Sequence, residues 1–246
     1  ANALDLGNCS LGGQINIVAL GAVTDSGTLT GGGLFVKTTN DAGAAITLNS
    51  TGNDFNGVGL VSRNSADNNF AAGAITYIDT DDFDISPDNI RTNSTVNLTA
   101  GGAITQSGRI TGTTLTVKTL NNSGAAITLT NINNNTTTIN LSARNAADTA
   151  DAAGAITYVD TNGFDISGIG TTSTLSLATS GAITDSGALV VGDTTTLAAG
   201  AANNITLDVT TNNFSTVVIT TGNNVTLVDT NAIILGASTV SGTLAV

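Results

Sequence analysis

The sequence lacks several residue types, and each absence excludes a kind of structure. Its 246 residues contain no Glu, His, Met or Trp, and only one Pro and one Cys. Glu and Met are good helix formers, whereas the abundant Thr, Asn, Asp, Val and Gly are poor ones. The composition therefore favours short strands and tight turns over helices. The single cysteine, Cys9, has no partner in the chain, so the fold is expected to be stable without an internal disulfide.

The charge balance excludes two classes of partner. Six basic residues stand against 18 acidic ones, all of them Asp, and the formal net charge is −12. Nucleic acids and anionic membranes bind basic surfaces, so neither is expected as a partner. No apolar run is long enough to span a bilayer, so no membrane insertion is expected. Because the chain does not begin with Met, we expect a processed product or a window of a longer chain.

One motif sets the organisation of the chain. Gly-Ala-Ile/Val-Thr-Asp/Gln-Ser-Gly begins at Gly21, Gly102 and Gly181, so the copies are almost evenly spaced. A fixed period of this length indicates a repeat architecture. We therefore predict a single array over 1–246, with a partial repeat at 1–20, full units at 21–101 and 102–180, and a shortened unit at 181–246.

Apolar residues recur in pairs with a period of two, which is typical of short strands with one buried face. The pairs of the first unit are Leu34/Val36, Ile46/Leu48, Val58/Leu60, Ile75/Tyr77, Phe83/Ile85 and Val96/Leu98. Those of the second are Leu115/Val117, Ile127/Leu129, Ile139/Leu141, Ile156/Tyr158, Phe164/Ile166 and Leu175/Leu177. Those of the third are Ile205/Leu207, Val217/Ile219, Val225/Leu227, Ile233/Leu235 and Leu244/Val246. Such strands could build a sandwich or a solenoid, but only a solenoid needs the long self-similarity. At roughly 20 residues a turn, we predict a parallel β-solenoid of about twelve coils.

The third unit is shorter than the others at one place. Between Ile219 and Val225 it lacks the residues that the first two units carry at 64–73 and 145–154. A deletion that leaves the flanking strands intact indicates a loop that projects from the array.

The two ends of the chain match in sequence. Residues 2–17 align with 231–246, and neither segment is polar as a capping repeat would be. Hence we expect either flanking repeats of a longer chain or end-to-end association of copies. The residues expected to mediate self-association are Leu4, Leu6, Ile15, Ile17, Ile233, Leu235, Leu244 and Val246.

The repeats resemble those of filamentous-haemagglutinin-like bacterial exoproteins. The similarity is carried by Gly181-Ala-Ile-Thr-Asp-Ser-Gly, Ala201-Ala-Asn-Asn-Ile-Thr-Leu, Asn223-Asn-Val-Thr-Leu and Leu235-Gly-Ala-Ser-Thr-Val-Ser-Gly-Thr-Leu. The resemblance implies a right-handed parallel β-helix, export by the two-partner or autotransporter route, an extracellular or cell-surface location, and an adhesive or scaffold role.

One acidic cluster is a candidate metal site. Asp79, Asp81, Asp82 and Asp84 offer hard oxygen ligands that suit Ca²⁺. The corresponding segments of the other units are poorer in Asp, and the calcium-binding nonapeptide is absent, so a solvated acidic turn is the favoured interpretation. Asp79, Asp160 and Asp229 each stand before Thr after a strand, a pattern typical of side-chain-to-backbone turns. No cofactor is expected.

Three functions follow from these patterns. The first is a structural solenoid that forms or extends an extracellular filament or stalk. The second is an adhesin that binds carbohydrate or a host surface through the loops at 64–73 and 145–154. The third, an enzyme, is not expected, because the chain has no His and no Glu and shows no clustered acid, base and charge stabiliser.

Overall fold

β-Strands are the only regular secondary structure in the computed structural model, which describes residues 3–246. The fold is an all-β parallel β-solenoid of about twelve turns, as the repeat predicts. The chain divides into two units, Ala1–Val117 and Lys118–Val246. Ala1 and Asn2, which begin the predicted partial repeat, lie outside the described residues.

The strands are short and follow one another closely along the chain. The first unit contains β1 (Leu4–Leu6), β2 (Cys9–Ser10), β3 (Gln14–Ala19), β4 (Val23–Asp25), β5 (Leu29–Gly31), β6 (Gly33–Thr39), β7 (Ile46–Leu48), β8 (Asp54–Phe55), β9 (Gly57–Arg63), β10 (Ile75–Asp79), β11 (Phe83–Arg91), β12 (Val96–Ala100) and β13 (Ile104–Gln106). The point of division falls within β14 (Ile110–Leu120). The second unit contains β15 (Ile127–Leu129), β16 (Asn135–Arg144), β17 (Ile156–Asp160), β18 (Phe164–Thr171), β19 (Leu175–Thr179), β20 (Ile183–Asp185), β21 (Leu189–Ala198), β22 (Ile205–Leu207), β23 (Asn213–Thr221), β24 (Val225–Leu227), β25 (Ile234–Leu235) and β26 (Leu244–Ala245).

The parallel register shows which residues lie one turn apart, and these steps differ in length. In the first unit, Leu4 pairs with Val23, Val23 with Ile46, Ile46 with Ile75, and Ile75 with Val96. The shortest of these steps runs from Leu4 to Val23, and the longest runs from Ile46 to Ile75. The longest step contains the predicted loop at 64–73. The second unit repeats this long step between Ile127 and Ile156, around the loop at 145–154.

The predicted apolar pairs form the core of each unit. All six pairs of the first repeat and all six of the second are buried, and so are the first three pairs of the third. Since parallel pairing brings equivalent residues into register, each apolar face is covered by the next turn. The last two pairs are the exception: Leu235, Leu244 and Val246 are exposed, because no further turn covers them within the described residues.

The recurring motif is explained by how closely successive turns approach each other. A Cβ atom added to Gly108 would lie 2.0 Å from the backbone oxygen of Ser86, one turn earlier. In the second unit, a Cβ on Gly187 would lie 2.0 Å from the backbone oxygen of Ser167. No side chain fits at these positions, so the final glycine of the motif is where two turns touch backbone to backbone.

The motif also supplies a cap for the following turn. Asp25 accepts hydrogen bonds from the backbone N–H groups of Asn49 and Ser50, at 2.8 and 3.1 Å. Its carboxylate also accepts a bond of 2.7 Å from the side chain of Asn53. In the second unit, Asp185 makes the corresponding bonds to Asp208, Val209 and Asn212. These bonds satisfy backbone donors in turns that have no ladder partner.

Candidate functional site

The two predicted loops project from the solenoid and have the same backbone turn and hydrogen-bonding pattern. Residues 65–69 and 146–150 are exposed, while the chain on either side is largely buried. Asp67 and Asp148 have positive φ angles of 52° and 54°, which close each loop tightly. The side chain of Asn64 accepts backbone hydrogen bonds from Asn68 and Asn69, and the side chain of Asn145 accepts one from Thr149.

Each loop is fixed to the solenoid by two ion pairs, in which one lysine and one arginine contact the same aspartate. Lys37 and Arg63 contact the carboxylate of Asp67 at 2.5 and 2.9 Å. Lys118 and Arg144 contact that of Asp148 at 2.6 and 3.0 Å. The hydrogen bond from the lysine is the main cause that lowers the pKa of each aspartate. The matching positions of these basic residues in the repeats therefore reflect loop anchoring.

Beside the first loop lies a pocket of about 280 Å³. It is lined by Phe35, Lys37, Val61, Arg63, Asp67, Phe70, Pro87, Asp88, Asn89 and Arg91. One wall is the loop, and the opposite wall is a bulge in β11, where the pairing with β9 shifts between Ile85 and Ile90. Bulges of this kind re-aim side chains and are frequent beside functional sites.

The aromatic ring of Phe70 organises the charges of this pocket. The guanidinium carbon of Arg91 lies 3.8 Å from the ring centroid, and that of Arg63 lies 4.6 Å from it. Both contacts are cation–π interactions. Burial, together with the nearby charges of Arg109 and Arg63, lowers the pKa of Arg91 to about 10. The pocket thus holds the positive charges of Arg63 and Arg91 close together, both in contact with the ring of Phe70.

The corresponding pocket of the second unit has different chemistry. It is lined by Lys118, Asn140, Ser142, Arg144, Asp148, Asp151, Gly168, Ile169, Gly170 and Ala188. Asp151 takes the place of Phe70, and Arg144 bonds to it at 2.6 Å. This bond is the main cause that raises the pKa of Arg144. Two cations therefore face two carboxylates here, whereas three cations face two in the first unit.

The first pocket is not predicted from the sequence. The matching positions of Lys37/Lys118 and Arg63/Arg144 indicate structural residues, and the repeat pattern says nothing of Arg91 and Arg109, which have no basic counterpart. The signal lay in the differences between units: Phe70 against Asp151, and the residues Pro87-Asp88-Asn89 against the single Gly168.

The repeated Asp-Thr positions form side-chain-to-backbone turns, as predicted, and the first two of the three aspartates are buried. Asp79 is 2% exposed and accepts hydrogen bonds from the hydroxyl of Tyr77 and from the backbone N–H groups of Phe55 and Asp81. Asp160 accepts the same kinds of bond from Tyr158, Thr136 and Asn162. Asp229 bonds the backbone of Phe214 and Asn231. These carboxylates link neighbouring turns.

The acidic cluster is only partly assembled. Asp79 and Asp81 lie close together with Asp54, all three offering oxygens within 4.8 Å of one another. Asp82 and Asp84 are not part of this group, and Asp84 instead accepts a hydrogen bond from Thr105 at 3.0 Å. Both oxygens of Asp79 already accept bonds from protein donors. These bonds hold the segment in a turn, and Ca²⁺ binding by the cluster stays a prediction.

Burial raises the pKa of Asp79 to about 6, which makes the stability of the fold depend on pH. Because the ordinary value is about 3.9, the folded state binds more protons than the unfolded state between about pH 4 and pH 6. The free energy of unfolding is therefore expected to fall by about 1–3 kcal/mol as the pH rises through this window, and then to stay level. Burial also raises the pKa of Asp160, which adds to the fall. Asp79→Asn should remove the part of this fall in the free energy of unfolding that is due to Asp79. Urea unfolding from pH 4 to pH 7 measures it.

Asp82→Asn is the matched control for this prediction, since Asp82 is exposed in the same segment. It should keep the slope of the natural chain. Ion-paired Asp67 and Asp148 act in the opposite sense, because their lowered pKa values favour the fold at higher pH. They are unchanged in both variants, so an Asp79→Asn curve with the natural slope would contradict the assignment.

The predicted self-association residues lie at the edges of the terminal turns. Leu4 and Leu6 lie in β1, and Ile15 and Ile17 in β3, where Ile15 is buried. Leu235 lies in β25, which pairs with β23, and Leu244 lies in β26, which pairs with β24. Ile233 is half-buried, whereas its neighbour Ile234 is 62% exposed and Val246 is 64% exposed.

The family described as repeats of unknown function (DUF5649) matches residues 1–62, 72–142, 153–221 and 222–246. These segments cover most of the sequence. The chain belongs to this family. The DUF5649 segments leave out residues 63–71 and 143–152, so most of each projecting loop lies between matched segments. No curated protein and no solved structure is significantly similar to the chain.

In the described part of the chain, no helix could cross a membrane.

Proposed function

We propose that the chain is a structural module of an extracellular filament or stalk on a bacterial surface, extended by stacking of its terminal turns. The observation that carries the proposal is the exposed apolar edge formed by Ile234, Leu235 and Leu244. Edge strands present unpaired backbone groups that template pairing with a further strand. Because each repeat buries its apolar face against its neighbours, a further turn stacked on this edge would bury the edge in the same way.

The sequence at the other end supports the same function. Leu4 and Leu11 are exposed, and among the described residues 3–246 the pairing found for β1 is with β4. The match between residues 2–17 and 231–246 means that the chain begins and ends at the same phase of its repeat, so its two terminal turns resemble each other. The resemblance to filamentous-haemagglutinin-like exoproteins supports an exported, surface location. In this account the further turn comes from flanking repeats or from a second copy, and the mechanism is mechanical.

The proposal predicts that blocking the edge prevents assembly. Leu235→Lys combined with Leu244→Lys places two charges on the apolar edge, which should hold the chain as monomers because a stacked turn would bury them. Sedimentation velocity over a concentration series and negative-stain electron microscopy measure the outcome. Ile132→Lys is the matched control, because Ile132 is 72% exposed but lies in a turn within the array. The natural chain and the control should form fibres. Monomers in all three samples would contradict stacking of copies and leave flanking repeats as the source of the further turn.

A second candidate function is binding of carbohydrate or a host surface through the projecting loops. The observation that favours it is that most of each loop lies between the matched repeat segments, as expected of an addition to the solenoid. The third repeat provides a design for removing the first loop, namely replacement of residues 61–74 by the segment 220–224. That variant should still assemble but should lose binding to surface glycans, as measured by glycan-array or cell-binding assays.

A further inference from the structure

The two loops have the same backbone turn and hydrogen-bonding pattern but differ in what surrounds them. In the second unit, Arg144 is neutralised by Asp148 and Asp151. In the first unit, Arg63 has only Asp67, and Phe70 replaces the second carboxylate. Loop anchoring needs only the lysine, the arginine and one aspartate, which both units have. The additional groups of the first pocket are therefore not explained by anchoring.

Arg91 is the most informative of these groups. Its guanidinium stacks on Phe70, and its Nε atom is buried without a hydrogen-bond partner. Among residues 3–246, no carboxylate forms an ion pair with Arg91 or with Arg109. Holding Arg91 close to Arg63 and Arg109 costs free energy, since like charges repel. A chain with a net charge of −12 has 18 aspartates from which a partner for Arg91 could come, yet none fills this place.

The rest of the lining suits a sugar ring. Phe35, Val61 and Pro87 provide apolar surface, while the exposed Asp88 provides a carboxylate that can accept bonds from hydroxyls. Gly59 makes room for the bulge, because a Cβ atom there would lie 2.6 Å from the Cβ atom of Asp88. The pocket volume of about 280 Å³ is at the lower end of ligand sites, which fits a single residue of a glycan.

We propose that this pocket binds an acidic sugar residue of a surface glycan, with the carboxylate or sulfate group of the sugar paired to Arg91. Arginine pairs with planar oxyanions through parallel hydrogen bonds, and Arg63 and Arg109 add favourable charge nearby. The apolar lining packs against the ring, and the Asp88 carboxylate pairs with its hydroxyls. The neutral pocket of the second unit lacks these features. The inference rests on the second candidate function, in which the loops bind carbohydrate.

The test is isothermal titration of three oligosaccharides into the whole chain. A galacturonic acid trisaccharide carries carboxylates only, a heparin tetrasaccharide carries sulfates as well, and maltotriose is neutral. One or both acidic probes should bind, more weakly as salt rises, and maltotriose should not. Arg91→Gln should weaken binding by about tenfold or more, because a charge-assisted pair is lost. The matched control, Arg144→Gln in the second unit, should change it by less than about twofold.

Arg91→Lys keeps the positive charge but loses the planar guanidinium that donates two parallel hydrogen bonds, so it should bind with intermediate affinity. Circular dichroism of each variant establishes folding. Unchanged binding in folded Arg91→Gln, equal binding of maltotriose, or binding by none of the three would overturn the inference. Whichever acidic probe binds identifies the group as carboxylate or sulfate. If glycan-array binding is lost on removal of the first loop but survives Arg91→Gln, the loop function stands and the acidic-sugar assignment falls.

Discussion

Gly108→Ala is expected to lower the free energy of unfolding by about 3 kcal/mol, because it overpacks the closest contact between two turns. The added methyl group would lie 2.0 Å from the backbone oxygen of Ser86 and 3.1 Å from the backbone nitrogen of Asn89. Neither neighbour is the flexible end of a side chain, so the turns themselves would have to separate. Urea unfolding followed by circular dichroism measures the loss.

Gly57→Ala is the matched control for this substitution. Gly57 lies in β9, and a Cβ atom there would meet only the Cβ atom of Ser86, at 3.7 Å. This is an ordinary contact, so the variant should be as stable as the natural chain or more stable by about 0.5 kcal/mol, since alanine restricts the unfolded chain. Equal stability of the Gly108 and Gly57 variants would contradict the explanation given for the repeated motif.

Asn53→Ala is expected to cost about 2–3 kcal/mol, because a buried bond network would lose its centre. The Asn53 side chain is fully buried, accepts a bond of 2.9 Å from the backbone N–H of Leu29, and donates one of 2.7 Å to Asp25. Removing it leaves the Leu29 donor buried without a partner. Asn212, which bonds Leu189 and Asp185 in the same way, predicts a similar cost for Asn212→Ala.

Asn49→Ala tests whether this cost is specific. Asn49 lies in the same turn as Asn53, but its side chain is exposed. Its replacement should change the free energy of unfolding by less than about 0.5 kcal/mol. Thermal and urea unfolding of the two variants side by side give the comparison, and similar losses for both would show that the turn, and not the network, determines stability.

Much of the fold follows from the sequence because a solenoid repeats its own environment. The period-two pairs, such as Val58/Leu60 and Ile139/Leu141, predict the buried faces, and the deletion in the third unit predicts the loops. The same argument failed to include Phe55, Ile90, Leu189 and Phe214 in the core, although all four are buried. Phe55, Ile90 and Phe214 stand singly between polar or turn residues, so no alternation marks them, whereas Leu189 forms a period-two pair with the buried Val191.

The candidate site was harder to predict for a physical reason. Comparison of the repeat units identifies residues that recur among them, such as the ion-paired Asp67 and Asp148 that anchor the loops. The pocket depends on what the units do not share: Phe70, Arg91 and the bulge at 87–89. Phe70 and Arg91 lie far apart along the chain, so their stacking needs the register of neighbouring turns, which the sequence alone does not supply. The acidic segment shows the same limit, since Asp54 joins Asp79 and Asp81 only in the folded chain.

X-ray diffraction from oriented, concentrated samples of the natural chain tests most directly whether terminal turns continue the stack. Stacked parallel turns repeat at about 4.8 Å, so continued stacking predicts a sharp meridional reflection at about that spacing, along the fibre axis. The Leu235→Lys, Leu244→Lys double variant should give no oriented reflection. Fibres of the natural chain with this reflection off the meridian, or no fibres at any concentration, would contradict end-to-end stacking and leave the projecting loops as the basis of function.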